Sequence, residues 1–124
     1  FLQSLAEARP SGRFIGFDPH GALESPCPNV ELRRVLFDPE QHLAELRPDL
    51  LVSRHVLEHL SDPLGFVQSI SFGAAVNGLR PLLYLEVPCI DRALETQRTE
   101  DFYYEHNSHF TTESFSRMLA RSFG

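Results

Sequence analysis

The sequence predicts an α/β protein with a mostly parallel sheet, and two observations support this prediction. Segments typical of strands alternate along the 124-residue chain with segments of helical periodicity, as in a parallel sheet with crossover helices. The strand-like segments at 48–54 and 81–87 carry continuous apolar runs, which are typical of strands buried on both faces. Ligands of such sheets bind beyond the carboxyl ends of strands, so the residues that follow each strand are the first candidates for a site.

Five segments are predicted in the first part of the chain from apolar spacing and turn-forming residues. They are a helix, a strand, a loop, a second strand and a helix, at residues 1–9, 13–18, 22–29, 30–37 and 40–46. The Pro-Ser-Gly sequence at 10–12 ends the first helix, and Pro-His-Gly at 19–21 ends the first strand. Asp38 and Pro39 close the second strand.

The second part of the chain continues the alternation. It contains a strand, a helix, a strand, an irregular aromatic-rich segment and a final helix, at residues 48–54, 62–76, 81–87, 89–108 and from Thr111 or Thr112 onward. Asn77 and Gly78 end the long helix, and either threonine can cap the last one, although the Glu of a full capping box is absent. Phe115, Met118 and Leu119 are predicted to face inward.

Size and charge restrict the class of function. A chain of this length forms one domain, 1–124, and it has no apolar stretch of about 18 residues that would cross a membrane. Its formal charge of −6 argues against nonspecific binding to nucleic acid or to an anionic membrane surface. Cys27 and Cys89 lack the spacing of a disulfide framework or a zinc site, so a reducing, cytoplasmic location is expected.

Two acidic residues follow predicted strands. Asp18 enters a turn directly after the first strand, where its two carboxylate oxygens can accept both hydroxyls of a ribose. Asp38 repeats this arrangement after the second strand. Asp is also common in turns, so a purely structural turn role remains the alternative for both residues.

The sequence His55-Val56-Leu57-Glu58-His59 matches the H-x-x-E-H pattern of inverted zinc peptidases. That chemistry needs one helix through both histidines and a third protein ligand. Here the pattern follows an apolar strand and runs into Ser-Asp-Pro at 61–63, which leaves about one helical turn. Zinc hydrolysis is therefore the less favoured alternative, and His59 packed against the sheet with a locally satisfied nitrogen is the structural one.

A third polar cluster lies at 103–109, with the sequence YYEHNSH. Glu105 could orient His106 as a general base, and His106 and His109 could bind a metal. No thiol or carboxylate at a standard spacing completes a ligand set, so no metal site is assigned. A polar surface loop with aromatic anchors is the structural alternative.

The order of these segments resembles the class I S-adenosylmethionine-dependent methyltransferases. The resemblance rests on GFDP at 16–19, LFDP at 36–39, PDLLVSRHVLEHLSDP at 48–63, LLYLEVP at 82–88 and FYYEHNSHFTTESFSRMLARSFG at 102–124. The last segment is similar to the C-terminal part of methyltransferases that include the sugar C-methyltransferases. The resemblance implies a Rossmann-like three-layer α/β/α fold, S-adenosylmethionine as cofactor, and a small-molecule or sugar acceptor.

The resemblance also implies which residues bind the cofactor. Asp18 would hold the ribose hydroxyls, with Pro19 beside the adenine and Asp38 near the adenine amino group. Ser53, Arg54 and His55 would line the methionine and sulfonium side of the cleft.

The acceptor side is implied in the same way. His59, Glu86 and Tyr104 would border the acceptor, with Pro88 next to Glu86. If the acceptor is a carbon beside a carbonyl, His106 is the candidate base and Glu105 its orienting partner.

The sequence departs from the family pattern at the glycine-rich loop that follows the family's first strand, which is absent. The sequence also stops before the strands that normally close the sheet. We therefore expect a fragment or a shortened homologue that binds S-adenosylmethionine weakly or not at all, while a longer parent protein binds it. A catalytically inactive interaction module is the alternative function.

Without the family's first strand, the strands at 13–18 and 49–54 should pair directly or leave exposed edges that a partner chain fills. Self-association as a homodimer is one outcome of such edges.

Overall fold

The computed structural model describes residues 1–21, 24–25 and 27–123, and the chain divides into two compact units, Phe1–Asp38 and Pro39–Gly124. The first unit contains α1 (Leu2–Ala8), β1 (Phe14–Phe17) and β2 (Val30–Arg33). The second contains α2 (Pro39–Leu46), β3 (Leu50–Arg54), a 3₁₀ turn (Leu57–His59), α3 (Pro63–Val76), β4 (Leu82–Glu86), α4 (Asp91–Thr96) and α5 (Thr112–Phe123). The predicted alternation of strands and helices is confirmed.

In the first unit, β1 and β2 form a parallel pair with Phe14 opposite Val30. The Asn29 side chain donates hydrogen bonds to the carbonyl oxygens of Ala6 (3.3 Å) and Gly12 (3.1 Å). These bonds join the end of α1 to the start of β2. The loop predicted at 22–29 falls partly on residues 22, 23 and 26, which lie outside the described residues.

In the second unit, β3 and β4 form a parallel pair with Leu50 opposite Leu82 and Arg54 opposite Glu86. Helix α2 packs on α3, and α3 packs on α5. The core centres on four buried side chains with partly buried apolar neighbours: Leu57, Val67, Phe110 and Met118, surrounded by Leu60, Leu64, Phe66, Val87, Phe115 and Leu119. The 3₁₀ turn after β3 is therefore anchored in the core through Leu57.

The strand pairing differs from the sequence-based expectation. The described strands form two separate two-stranded parallel sheets, β1–β2 and β3–β4, and β1 does not pair with β3. Of the two outcomes expected for the strands at 13–18 and 49–54, direct pairing is not found among the described strands. Exposed edges that a partner chain fills stay a prediction. The parallel direction and the incompleteness of the sheet agree with the predicted fold class.

The expectation that β3 and β4 are buried on both faces is wrong. Leu50 and Val52 of β3 are 48% and 37% exposed, and Leu82 and Tyr84 of β4 are 73% and 51% exposed. Alternate residues of a strand point to opposite faces, and these four occupy facing register positions, so they form one face of the sheet. We call these four residues the exposed apolar face.

Two further details concern the helices. The segment predicted as irregular at 89–108 contains the short helix α4, which ends at Gln97 in a left-handed conformation (φ 54°). At the start of α5, the Thr111 hydroxyl accepts a hydrogen bond from the Ser114 main-chain N–H (3.0 Å), and the Ser114 hydroxyl accepts one from the Thr111 N–H (2.9 Å). Ser114 thus completes the reciprocal capping arrangement. No helix in the described ranges is long and apolar enough to cross a membrane.

Candidate functional site

Polar side chains meet where β3 and β4 end. Arg54 and Glu86 are register partners at the last positions of the two strands. The Arg54 guanidinium donates two hydrogen bonds to the Glu86 carboxylate, Nε to Oε2 (2.7 Å) and Nη2 to Oε1 (3.1 Å). Such a two-pronged pair fixes both side chains, since guanidinium and carboxylate have matching planar geometry. The strand ends therefore carry a fixed charge pair.

Hydrogen bonds at the charge pair shift the pKa values of Glu86 and of its neighbour Tyr84. The hydrogen bonds from Arg54, and a further one from the Tyr84 hydroxyl (3.0 Å), lower the pKa of Glu86 to about 2. The hydrogen bond to Glu86 raises the pKa of Tyr84 above its usual value of 10.0. Glu86 is consequently a carboxylate throughout the neutral pH range.

His55 leaves the strand in a left-handed backbone conformation, with φ at 53°. A non-glycine residue seldom adopts that conformation, which turns the chain sharply after β3. Nε2 of His55 lies 3.0 Å from Oε1 of Glu86, and Nδ1 lies 3.4 Å from Oε1 of Glu58. The imidazole therefore lies between two carboxylates.

Glu58 is the buried acid of the site, with 1% of its surface exposed. Its Oε2 atom is buried and has no hydrogen-bond partner among the described residues, and the same is true of the hydroxyl oxygen of Ser53 at the end of β3. A buried polar atom without a partner costs free energy, because it has lost its water and gained nothing in exchange. Both atoms are therefore positions where a ligand would stabilise the protein.

Residues 105–109 bring a second set of polar groups to the 3₁₀ turn. The Ser108 N–H donates to the Glu58 carbonyl (3.0 Å), and the Asn107 side-chain amide donates to the His59 carbonyl (2.6 Å). Nδ1 of His59 lies 3.2 Å from the Glu105 carbonyl oxygen. Three contacts thus hold this segment against the turn.

His106 is placed by this segment among other aromatic rings. Its ring centroid lies 4.9 Å from that of His59, with the two planes at 82°, and 5.4 Å from that of Tyr103. The His109 ring lies 5.7 Å away. One ligand atom each from Glu58, His59 and His106 lies within 4.8 Å of the other two.

The family of the chain follows from comparison with known proteins. A family model described as a methyltransferase domain matches residues 1–123. The chain belongs to the class I S-adenosylmethionine-dependent methyltransferase family. No curated protein and no solved structure matches it significantly. The match covers both units and agrees with the α/β fold. A methyltransferase domain indicates transferase chemistry.

The second unit of this methyltransferase chain brings together most of the residues predicted from the sequence. Six of these residues lie around the ends of β3 and β4 and the turn that follows β3: Ser53, Arg54, His55, His59, Glu86 and His106. Arg54 is engaged with Glu86 by its guanidinium. The described contact between Glu105 and the site is made by its main-chain carbonyl, and the side chains of Tyr104 and Glu105 are exposed.

Three predicted cofactor residues lie in the first unit. Asp18 follows β1 directly, and its Oδ1 accepts a hydrogen bond from the His20 main-chain N–H (2.9 Å). This contact is what the alternative for Asp18, a structural role in the turn, predicts. Pro19 and Asp38 are exposed. Their roles in binding the cofactor remain predictions.

The described part of the chain lacks the helix through both histidines that a zinc peptidase H-x-x-E-H motif requires. Residues 57–59 form a single 3₁₀ turn, and His55 lies before it with a left-handed backbone. His55 and His59 are therefore not stacked one helical turn apart, as a zinc peptidase motif requires.

Two site residues received no role in the sequence-based reading of the methyltransferase. The sequence pattern gives Glu58 a role only in the zinc alternative, although its position three residues after His55 is a usable signal. Asn107 was not singled out, because a side chain that anchors a neighbouring main chain has no sequence pattern.

Proposed function

We propose that this domain serves S-adenosylmethionine-dependent methyl transfer to a small-molecule or sugar acceptor. The observation that carries the proposal is the match of the methyltransferase family over residues 1–123. The net charge of −6 argues against a nucleic-acid acceptor, because nucleic-acid binding depends on basic surfaces.

The residues at the end of β3 fit the cofactor. The Ser53 hydroxyl oxygen is buried at the strand end, where ligands of parallel sheets bind, and none of the described residues forms a hydrogen bond with it. Ser53, Arg54 and His55 would hold the methionine side, and Asp18, Pro19 and Asp38 the ribose and adenine side. The bound cofactor would supply a methyl group on a sulfonium centre, open to attack by the acceptor.

On the acceptor side, His106 is the proposed base and His59, Glu86 and Tyr104 the proposed lining. Glu58, rather than the exposed side chain of Glu105, is the carboxylate found within 4.8 Å of His106 and His59. Its negative charge would stabilise the imidazolium that forms when His106 accepts a proton from the acceptor. The remaining contribution of the protein is in-line orientation of the acceptor.

Binding of S-adenosylhomocysteine, measured by calorimetry, tests the proposal. The polypeptide of residues 1–124 is compared with a longer polypeptide that is extended upstream of Phe1 to include a glycine-rich loop. We expect the longer form to bind and residues 1–124 to bind weakly or not at all, because the sequence lacks the glycine-rich loop whose backbone approaches the methionine end. Asp18→Ala in the longer form should weaken binding.

The control for the aspartate is Asp101→Ala, which removes a carboxylate from the second unit and should leave binding unchanged. A low-micromolar dissociation constant for residues 1–124 would overturn the expectation of weak binding. No binding by either polypeptide would overturn the methyltransferase proposal and favour the inactive interaction module.

A further inference from the structure

We propose that Glu58, His59 and His106 form a binding site for a divalent transition-metal ion. The three side chains come from the turn after β3 and from the segment before α5, and one ligand atom of each lies within 4.8 Å of the others. This ligand set differs from the H-x-x-E-H pattern, since His55 is replaced by His106. The carboxylate that was missing from the 103–109 cluster in the sequence is supplied by Glu58.

The burial of Glu58 is the first argument for a cation. Its side chain is 2% exposed, and its Oε2 atom has no hydrogen-bond partner in the part of the chain that the structure describes. An ionised carboxylate is costly to bury unless a charge or a set of donors compensates for it. The His55 imidazole lies 3.4 Å from Oε1, and a metal ion bound to the carboxylate would complete the compensation.

The orientation of His59 is the second argument. A carbonyl oxygen can only accept a hydrogen bond, so the contact of the Glu105 carbonyl with Nδ1 places the proton on Nδ1. Nε2 then carries the free lone pair, and it lies 4.0 Å from Oε1 of Glu58. Histidines that bind metals usually donate the other ring N–H to a carbonyl or carboxylate in this way.

The spacing is close to that of a metal centre. Ligand atoms about 2.1 Å from a tetrahedral zinc ion lie about 3.4 Å apart, so each atom needs to move by roughly 1 Å. Rotation of the two imidazoles, which are partly exposed, allows this shift. Two imidazoles and one carboxylate favour Zn²⁺, Co²⁺ or Fe²⁺ over Mg²⁺ or Ca²⁺, and three protein ligands leave coordination positions for water or another oxygen ligand.

The ion and the proposed base compete for one nitrogen. The lone pair with which His106 would bind the ion is the one that it would need to accept a proton. Metal binding is measured without cofactor or acceptor, so its failure and the failure of the methyltransferase proposal are separate results.

The test is calorimetric titration of residues 1–124 with Zn²⁺, together with the visible absorption spectrum after addition of Co²⁺. We expect one Zn²⁺ per chain with a low-micromolar dissociation constant. His106→Ala should weaken binding by at least about tenfold, because it removes a direct ligand. Glu58→Gln, which keeps the side-chain shape, should weaken it as strongly.

Two control variants distinguish this ligand set from its competitors. His20→Asn tests binding by a histidine outside the set, at an exposed position of the first unit. Cys89→Ser tests the exposed thiol, which can bind Zn²⁺ by itself. Both controls should keep the affinity within about twofold of the unmodified chain, well inside the tenfold loss expected for a ligand.

Far-ultraviolet circular dichroism checks that each variant is folded, and His59→Ala takes the place of His106→Ala if the latter is not. The proposal is overturned if the unmodified chain binds no Zn²⁺. It is equally overturned if a folded ligand variant binds as well as the unmodified chain, or if either control loses affinity.

Discussion

At the scale of single residues, the Arg54–Glu86 pair is the clearest electrostatic feature. Glu86 has a folded-state pKa of about 2, against an ordinary value of 4.5. A depressed carboxyl pKa stabilises the fold fully above the unfolded value, and this stabilisation is lost as the pH falls through the folded one. The pair therefore stabilises the protein above about pH 4.5, and this contribution disappears towards pH 2.

We predict that Arg54→Met raises the pKa of Glu86 towards 4.5, because it removes the largest cause of the shift. An NMR titration of the Glu86 side-chain carboxyl carbon measures the change directly. Arg92→Met serves as the control, since it removes an arginine whose ion-pair partner is Glu95. An unchanged Glu86 titration in Arg54→Met would show that the pair does not persist in solution.

The sequence indicated many residues of the site but not its internal contacts. His55, Glu58 and His59 follow a strand in the H-x-x-E-H pattern, and that position was sufficient to mark them. The contact of the Glu105 carbonyl with His59 could not be predicted, because every residue carries a carbonyl and only the folded backbone selects one. For the same reason Glu105 was assigned to the site through its side chain.

At the scale of elements, the start of α5 shows how local chemistry fixes a boundary. Thr111 is the N-cap, and Ser114 provides the returning side-chain oxygen that Glu usually provides. The Asp91 carboxylate also accepts hydrogen bonds from the Thr112 N–H (3.1 Å) and hydroxyl (2.6 Å). The main-chain N–H groups of Thr112 and Ser114, in the first turn of the helix, are thus satisfied by side chains.

We predict that Thr111→Ala lowers the free energy of unfolding by about 1 kcal/mol, the usual loss when a capping hydroxyl is removed. Urea denaturation monitored by circular dichroism measures the loss. Thr99→Ala removes an exposed threonine whose described contact is made by its carbonyl, and it should have almost no effect. Equal stability of the two variants would mean that the cap contributes nothing.

Most elements could be predicted because their apolar spacing and end signals agree. The long helix α3 has Asp62 as N-cap, Pro63 in its first turn and Gly78 just beyond its end, all visible in the sequence. Helix α4 was missed because it has six residues and buries Ala93 alone, so it has too few apolar positions to show a period.

At the scale of the whole molecule, strand order was the least predictable property. Apolar runs at β3 and β4 correctly indicated parallel strands, yet an apolar run does not show how many neighbouring strands it will have. The β3–β4 sheet has two strands, and its exposed apolar face is the consequence. Exposed apolar area of this kind favours association between molecules.

We predict that the chain self-associates with increasing concentration and that Leu82→Lys reduces this association. Leu82 is the most exposed residue of the exposed apolar face, and a charge there is costly to bury in a contact. Sedimentation velocity over a concentration series measures the effect. Leu94→Lys adds the same charge at an exposed leucine of α4 and should change association less. Monomeric sedimentation of the unmodified chain at every concentration would contradict the prediction.

The contacts between residues 105–108 and the turn at 58–59 determine how often this segment can leave the turn. Contacts from the Glu105 carbonyl, the Asn107 amide and the Ser108 N–H must break together before the segment can leave the turn. A segment of this kind opens as one cooperative unit, and deuterium exchange at the Ser108 amide would report the frequency of that opening. Release of residues 105–108 from the turn is then a local unfolding step, which is slower than the nanosecond rotation of an exposed side chain such as that of His59.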